Sequence, residues 1–169
     1  MSAEPLLRIE LLKASHDVDD CDCGNNALDE YLQRRAFADQ QAEKSRTLIA
    51  CRGSRVVAYF SLAAGSVDPE EATQRLAKGK GRQSIPVILL ARLAVARREQ
   101  GRGLGEAMLV EAFARCAQAA DTIGARAVLV HAKNERARAF YERYGCAASP
   151  TDPQHLVMLM KDIRKTLAE

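Results

Sequence analysis

Apolar and polar residues are arranged along the chain in patterns that predict six β-strands. The first strand alternates apolar and charged residues, as expected where only one face is buried. The second and third strands flank Arg52, Gly53 and Ser54, which predicts a hairpin. The fourth is mostly apolar, which is typical of a central strand covered on both faces. The strands are predicted at residues 7–11, 47–51, 56–62, 87–95, 127–130 and 155–160.

Apolar residues at helical spacing predict three helices. The first is about 15 residues long and follows Asn25 and Asn26, whose side chains can cap a helix N-terminus. The second begins at Leu104 and has a broad apolar face. The third is expected to be capped by Asn134 and ended by Gly145, since glycine readily takes the left-handed conformation found at helix ends.

Residues 66–84 contain Pro69, Gly79 and Gly81 among charged residues and have no long apolar stripe. This composition predicts a mobile basic loop with a short helix around residues 70–76. The order of elements is then β, α, β, β, β, α, β, α, β, without an internal repeat or a linker. Strands and helices mixed in this way indicate an α/β or α+β sandwich.

Length and composition narrow the class of protein. The chain has 169 residues, and 47% of them are hydrophobic and 28% charged, which is ordinary for one globular domain. No apolar stretch approaches the ~20 residues that cross a bilayer. Residues 1–5 lack the basic and apolar pattern of a signal peptide. We therefore expect one cytoplasmic domain over residues 1–169, with no membrane partner.

The charges are unevenly placed. The chain has 25 Lys and Arg against 22 Asp and Glu, a net charge of +3. Residues 75–102 carry an excess of basic residues, with Glu99 as their only acid. Such a run is either a solvated face or a surface that contacts the phosphates of a nucleic acid. Arg92 lies within the apolar fourth strand, so it needs a polar partner or a cleft.

The five cysteines are scattered and odd in number, which does not suit a disulfide framework. Cys21 and Cys23 are close, but their spacing is not the C-x2-C of zinc sites, and no second ligand pair follows. We expect spare thiols and no metal.

Three of the ten glycines, Gly101, Gly103 and Gly105, lie between the fourth strand and the helix at Leu104. Glycines let a backbone approach a ligand, and successive N–H groups at a helix start attract anions. The spacing is neither that of a P-loop nor that of a dinucleotide fold. A phosphate or pyrophosphate is the expected ligand, and the alternative is a turn that only connects strand and helix.

Two motifs support a family resemblance. Gln100-x-x-Gly103-x-Gly105 resembles the Q/R-x-x-G-x-G/A pyrophosphate motif of GCN5-related N-acetyltransferases (GNAT), and residues 140–145 resemble their F-Y-x-x-x-G element. The resemblance implies a GNAT fold, with a central mixed β-sheet flanked by helices, and acetyl-CoA as the cofactor. Backbone amides of residues 100–105 would hold the pyrophosphate, and residues 93–95 would pair with the pantetheine arm. The implied cofactor-binding residues are Leu93, Ala94, Val95, Gln100, Gly101, Arg102, Gly103, Leu104, Gly105, Asn134 and Phe140.

A narrower resemblance covers nearly the whole chain. Cys23-Gly24-Asn25, residues 90–95, Val130-His131-Ala132 and the helix with Phe140 and Tyr141 are similar to the acetyltransferase toxins of type II toxin–antitoxin modules. This implies acetylation of the α-amino group of aminoacyl-tRNA, a block in translation, and a ribbon-helix-helix antitoxin encoded alongside. Homodimers are common in the family. Candidates to contact the tRNA are Lys78, Lys80, Arg82, Arg92, Arg97 and Arg98.

Acetyl transfer needs a neutral amine, a donor to the oxyanion and a proton for the leaving thiolate. Tyr141 is the candidate general acid, because a phenol with a pKa near ~10 is protonated at neutral pH; alternatively, Tyr141 is only a core aromatic. The resemblance places the oxyanion at a backbone N–H near Leu93. His131 is either a base or a structural histidine.

No carboxylate pair suggests a dedicated base. An α-amine with a pKa of ~7.7–8.0 needs less help than a lysine of ~10.4, which favours an α-amine acceptor. An acetyltransferase of a small amine, an antibiotic or a protein N-terminus remains an alternative. The second alternative is a regulatory module that binds CoA and catalyses no reaction.

Overall fold

The computed structural model describes residues 7–79 and 81–169, so the predictions for residues 1–5 and for Lys80 lie outside the described residues. The described strands form one sheet. They are β1 (Ile9–Leu11), β2 (Arg46–Arg52), β3 (Arg55–Val67), β4 (Ile85–Val95), β5 (Ala127–His131), β6 (Ala147–Ala148) and β7 (His155–Leu159).

The strand order is β1-β2-β3-β4-β5-β7-β6. β1 pairs antiparallel with β2, and β7 pairs antiparallel with both β5 and β6. β4 and β5 are parallel, with a register from Val87↔Ala127 to Leu90↔Val130. The predicted mixed sheet is therefore confirmed.

Six α-helices accompany the sheet in the described part of the chain. Short 3₁₀ helices also occur at Pro69–Glu71 and Arg97–Glu99. None of the described helices is both long and apolar enough to span a bilayer. The α-helices are α1 (Asn26–Arg34), α2 (Ala36–Gln41), α3 (Gln74–Ala77), α4 (Leu104–Ala120), α5 (Glu135–Arg143) and α6 (Met160–Leu167).

The chain divides into two units. The first unit runs up to Ser61 and includes Arg92–Leu109, and the second contains Leu62–Ala91 and Val110–Glu169. In the first unit, Tyr59 of β3 is fully buried, and its hydroxyl donates to the carbonyl oxygen of Leu28 at 2.6 Å. This bond ties α1 to the strand beneath it.

The first predicted helix is broken in two at Arg35, which has φ −127° and ψ −30°. The Asn25 side chain caps α1, as predicted, by accepting from the Leu28 N–H at 3.2 Å. Beyond the break, the buried Gln40 side chain of α2 donates to the Leu12 carbonyl and accepts from the Thr47 N–H. These long-range contacts explain why the helix does not continue straight.

Residues 66–79 and 81–84 contain more regular structure than the predicted loop. They contain a 3₁₀ helix and α3, and Leu76 of α3 is fully buried. Arg126 donates to the carbonyl oxygens of Leu76 at 2.8 Å and Arg75 at 3.1 Å, which satisfies the end of this short helix. The apolar residues of this segment are too few to form a stripe, so the pattern alone did not indicate that it packs.

Replacing Leu76 with alanine is expected to destabilise the protein by about 3 kcal/mol, because it leaves a cavity in a closed apolar cluster with Ile85, Ala127 and Leu159. Urea unfolding followed by circular dichroism measures the change. Leu167→Ala on α6 is the control, because Leu167 is 37% exposed and its truncation is expected to cost under about 0.5 kcal/mol. Equal effects of the two variants would contradict a packed segment.

Candidate active site

A glycine turn joins β4 to α4. After β4 the chain forms the 3₁₀ helix Arg97–Glu99 and passes Gly101 and Gly103 before α4 begins at Leu104. Gly101 and Gly103 have φ values of 81° and 83°, which residues with a Cβ rarely adopt. A Cβ added to either would meet nothing within 4 Å. The backbone conformation therefore favours glycine, and the space beside the turn is open to a ligand.

The turn lies at the N-terminus of α4. The Gly103 carbonyl accepts the helix's first bond from the Ala107 N–H at 3.1 Å, and Gly105 is within the helix. The first N–H groups of a helix have no partner inside it and carry partial positive charge. Arg98 and Arg102 are exposed close by in sequence. The combination fits a phosphate or pyrophosphate.

Gln100 is tied to two other segments by its side chain. Its Nε2 donates to the carbonyl oxygens of Val95 at 2.8 Å and Cys23 at 3.0 Å. Its backbone N–H donates to the Arg97 carbonyl at 3.2 Å. Of the amides predicted to hold pyrophosphate, that of Gln100 already has a partner, so this residue shapes the turn.

The contact made by Glu99 was not predicted from the sequence. This side chain is 5% exposed and forms an ion pair with Arg52 at the end of β2, with Nη2–Oε1 at 2.7 Å. Hydrogen bonds from Arg52 hold the pKa of Glu99 below its usual value, so the carboxylate is ionised at neutral pH. The two residues are 47 positions apart, so no local pattern relates them. The one feature of the sequence that pointed to this contact was that Glu99 is the only acidic residue within the basic residues 75–102.

The end of β4 extends beyond its partner strand. The parallel pairing with β5 stops at Leu90, whereas β4 continues to Val95. Ala94 and Val95 are buried, and Leu93 is half-buried. Residues 93–95 therefore have no β5 partner within the described residues. An extended ligand fits such an edge by adding to it as a strand would.

Tyr141 lies on α5 in the second unit and is 6% exposed. Its hydroxyl has no hydrogen-bond partner among the described residues, where Arg55 Nε is the only buried side-chain N or O atom without one. The Tyr141 hydroxyl oxygen therefore keeps some access to solvent while the ring is enclosed. Burial raises the pKa of Tyr141, so the phenol is firmly protonated at neutral pH.

The other two site residues predicted around α5 have structural contacts. Asn134 caps the helix through its Oδ1, which accepts from the Ala137 N–H at 2.9 Å. The ring of Phe140 lies 5.3 Å from that of Tyr141 and 5.0 Å from that of Tyr144. Gly145, with φ 104°, ends the segment in the predicted left-handed conformation.

His131 stacks on His155, its pairing partner across β5 and β7, with ring centroids 4.1 Å apart. Burial and the neighbouring His155 lower the pKa of His131, which keeps its ring neutral at pH 7. A neutral imidazole has a nitrogen able to accept a proton. The stack on His155 also gives His131 a structural role.

Arg92 was predicted to need a polar partner or a cleft, and the structure gives it an aromatic partner instead. Its guanidinium carbon lies 3.5 Å from the ring centroid of Tyr31 on α1. The Tyr31 hydroxyl donates in turn to Asp39 at 2.9 Å. Arg92 is therefore held against α1 by a cation–π contact.

The remaining described candidates for tRNA contact are exposed. Lys78 and Arg82 belong to the second unit, and Arg97 and Arg98 to the first. Arg97 pairs loosely with Asp22 at 3.5 Å, where both side chains are about two-thirds exposed. Such exposed pairs are weak, so these cations are available to a polyanion.

The cysteines are free thiols. Burial raises the pKa of Cys21 to about 12 and that of Cys23 to about 11, so both are protonated at neutral pH. Zinc binds thiolates, so this pair is a poor ligand set. Within residues 7–79 and 81–169, no group of three or more His, Cys, Asp or Glu side chains is placed to hold a metal ion.

A mixed sheet with a glycine turn between its central strand and the following helix is the arrangement expected of an acyltransferase that binds a pyrophosphate-containing cofactor. The chain belongs to the acetyltransferase (GNAT) family, whose model matches residues 12–146.

Relatives and solved structures resemble nearly the whole chain. A tRNA-acetylating toxin of Mycobacterium tuberculosis (strain ATCC 25618 / H37Rv) is 48% identical over 153 residues, which is 90% of this chain and 92% of that protein. The structure of AtaT complexed with acetyl-methionyl-tRNAfMet has a TM-score of 0.88 at 26% identity and covers 95% of this chain and 98% of that chain. A tyrosine-to-phenylalanine mutant of AtaT, bound to the C-terminus of the antitoxin AtaR and acetyl-CoA, has a TM-score of 0.84 at 25% identity and covers 96% of this chain and 99% of that chain.

Proposed function

We propose that this chain is an acetyl-CoA-dependent N-acetyltransferase that acetylates the α-amino group of aminoacyl-tRNA and so inhibits translation. The proposal that aminoacyl-tRNA is the acceptor rests on the similarity to the mycobacterial tRNA-acetylating toxin over nine-tenths of the chain. An intact glycine turn supports the choice of acetyl-CoA. We also propose that residues 1–169 form a single acetyltransferase domain.

Acetyl-CoA supplies an activated acetyl thioester when it is bound. The amides of residues 101–105 are proposed to bind its pyrophosphate, because Gly101 and Gly103 leave open space at the positive end of α4. The free edge of β4 at residues 93–95 is proposed to orient the pantetheine arm, with the Leu93 N–H as the oxyanion donor. Asn134 and Phe140 remain proposed cofactor contacts.

Tyr141 is the proposed proton donor to the leaving thiolate. Its hydroxyl is the one polar atom of a buried ring, and the raised pKa keeps its proton in place until transfer. A weak acid of this kind donates effectively only where the developing thiolate is also shielded from water. Before transfer, the proton is held at Tyr141 Oη.

The acceptor amine needs little help from the protein. An α-amine is already partly neutral near pH 7, and esterification of the carboxyl group lowers its pKa further. His131, kept neutral by its surroundings, is a candidate to take the second proton. A dedicated carboxylate base is not required.

The exposed basic residues Lys78, Arg82, Arg97 and Arg98 are proposed to contact the tRNA backbone. Lys80 stays in this group on sequence alone. Arg92 is proposed to act near the acceptor end through its fixed position on Tyr31. A charged tRNA as acceptor implies action in the cytoplasm.

The proposed protein partner is a ribbon-helix-helix antitoxin encoded beside this chain, and a homodimer is the proposed assembly. The solved structure of AtaT bound to the C-terminus of the antitoxin AtaR supports an antitoxin as the protein partner of this chain.

The deciding experiment mixes the purified chain with acetyl-CoA and a pool of charged tRNAs, and follows labelled acetyl groups. We expect N-acetyl-aminoacyl-tRNA and inhibition of cell-free translation, and arrest of growth that co-expression of the antitoxin relieves. If translation and growth are unaffected by the chain alone, the toxin function is wrong. Acetylation of small amines or protein N-termini instead would leave an acetyltransferase with another acceptor.

A further inference from the structure

The carboxylate of Glu99 is held by a two-pronged contact directly before the glycine turn. Arg52 Nε donates to Glu99 Oε1 at 2.9 Å and Oε2 at 3.0 Å, and Nη2 donates to Oε1 at 2.7 Å. A guanidinium that grips both oxygens fixes the carboxylate in position and in orientation. The 3₁₀ helix thereby has one buried side chain among exposed arginines.

The next residue, Gln100, is fixed as well. Its Nε2 donates to Val95 and to Cys23, and the Arg97 N–H donates to the Asp22 carbonyl at 2.7 Å. Side chains of two consecutive residues, 99 and 100, are thus anchored to β2, to β4 and to the segment before α1. Gly101 follows with no side chain and an exposed backbone. The two residues that precede the turn, Glu99 and Gln100, are therefore held in place by hydrogen bonds.

A buried ion pair contributes little to net stability, because desolvation offsets the attraction between the charges. The pair has a more specific consequence at this place. An uncompensated carboxylate would repel any anion bound at the turn, and Arg52 cancels that charge. Its fixed geometry also limits the conformations of the turn before a ligand arrives, which lowers the entropy lost on binding.

We propose that Arg52 and Glu99 are positioning residues that hold the glycine turn in the conformation that binds the pyrophosphate of acetyl-CoA. This role rests on the proposed function, in which the turn takes that pyrophosphate. Neither residue is catalytic, since each acts through the backbone of the turn. The pair therefore governs affinity for the cofactor and leaves the chemical step unchanged.

The two partners are expected to differ in effect. Glu99→Gln removes the negative charge that would repel the ligand, but it also weakens the hydrogen bonds that Arg52 donates to residue 99. We expect KM for acetyl-CoA to rise about fivefold. Arg52→Met removes the hydrogen bonds to Glu99 and leaves a carboxylate that only the more distant charges of Arg98 and Arg102 still offset, and we expect a rise of about thirtyfold. The double variant Arg52→Met/Glu99→Gln lacks that carboxylate and is expected to bind better than Arg52→Met alone. In all three, kcat per folded enzyme stays within about twofold of the wild type.

The experiment combines steady-state kinetics with calorimetry of CoA itself, without acceptor, and thermal unfolding to give the folded fraction. Glu111→Gln is the matched control, since Glu111 pairs with Arg115 Nε at 2.9 Å on α4 but both side chains are 37% exposed. Unchanged CoA affinity in the folded fraction of all three variants would overturn the positioning role. If the wild type binds CoA but acetylates no charged tRNA, the proposed acceptor fails and the positioning role stands. If the wild type does not bind CoA, the proposed function and the positioning role are both wrong.

Discussion

Replacing Tyr141 with phenylalanine is expected to lower acetyl transfer by about a hundredfold to ten-thousandfold while acetyl-CoA still binds. The change removes only the hydroxyl, which is the proposed proton donor, and general acid catalysis contributes an effect of about this size. The ring is 6% exposed and the hydroxyl has no partner among the described residues, so phenylalanine fills the same space without orphaning another group. Stability is therefore expected to be unchanged.

Single-turnover transfer from labelled acetyl-CoA measures the loss, and calorimetry checks that the cofactor binds. Tyr144→Phe is the matched control, because Tyr144 follows directly after α5 and its ring also packs against Phe140. We expect this control to keep near-normal turnover. Near-normal turnover of Tyr141→Phe as well would remove Tyr141 from the reaction.

Local sequence chemistry predicted those parts of the site that depend on neighbouring residues. Asn25 and Asn134 each cap the helix that they precede, because a short polar side chain satisfies a first-turn N–H. The glycines at 101 and 103 were expected to shape a turn before α4, and both take positive φ. Each of these features requires information from only a few adjacent residues.

Features that depend on distant residues were missed. The break at Arg35 follows from contacts of Gln40 with Leu12 and Thr47, which hydrophobic spacing does not encode. Helix α6 was also missed, because the prediction ended the chain's structure at the last strand, although Ile163 of α6 is fully buried. The pairing of Arg52 with Glu99 joins the end of a strand to a turn 47 residues later. Sequence therefore predicted the presence of the glycine turn but not what anchors it.

Replacing Gly103 with aspartate is expected to weaken acetyl-CoA binding by at least about a hundredfold. The added carboxylate would stand in the open space beside the turn, where the pyrophosphate is proposed to bind. Two unit charges about 4 Å apart near a protein surface repel by about 4 kcal/mol, which exceeds a hundredfold in affinity. Calorimetry with CoA measures the loss directly, and the same variant is expected to lose acetyl transfer at ordinary cofactor concentrations.

Gly103→Asn separates this repulsion from backbone strain. Asparagine and aspartate have nearly the same shape and are the non-glycine residues that most readily take the φ of +83° found here. Both variants should therefore lose a similar, small amount of stability in urea unfolding, and the difference between their CoA affinities isolates the effect of the charge. Affinity lost equally in both would mean that conformation, not repulsion, governs binding at the turn. Affinity kept in both would place the pyrophosphate elsewhere, because an anion held by the amides of α4's first turn cannot be indifferent to a carboxylate at residue 103.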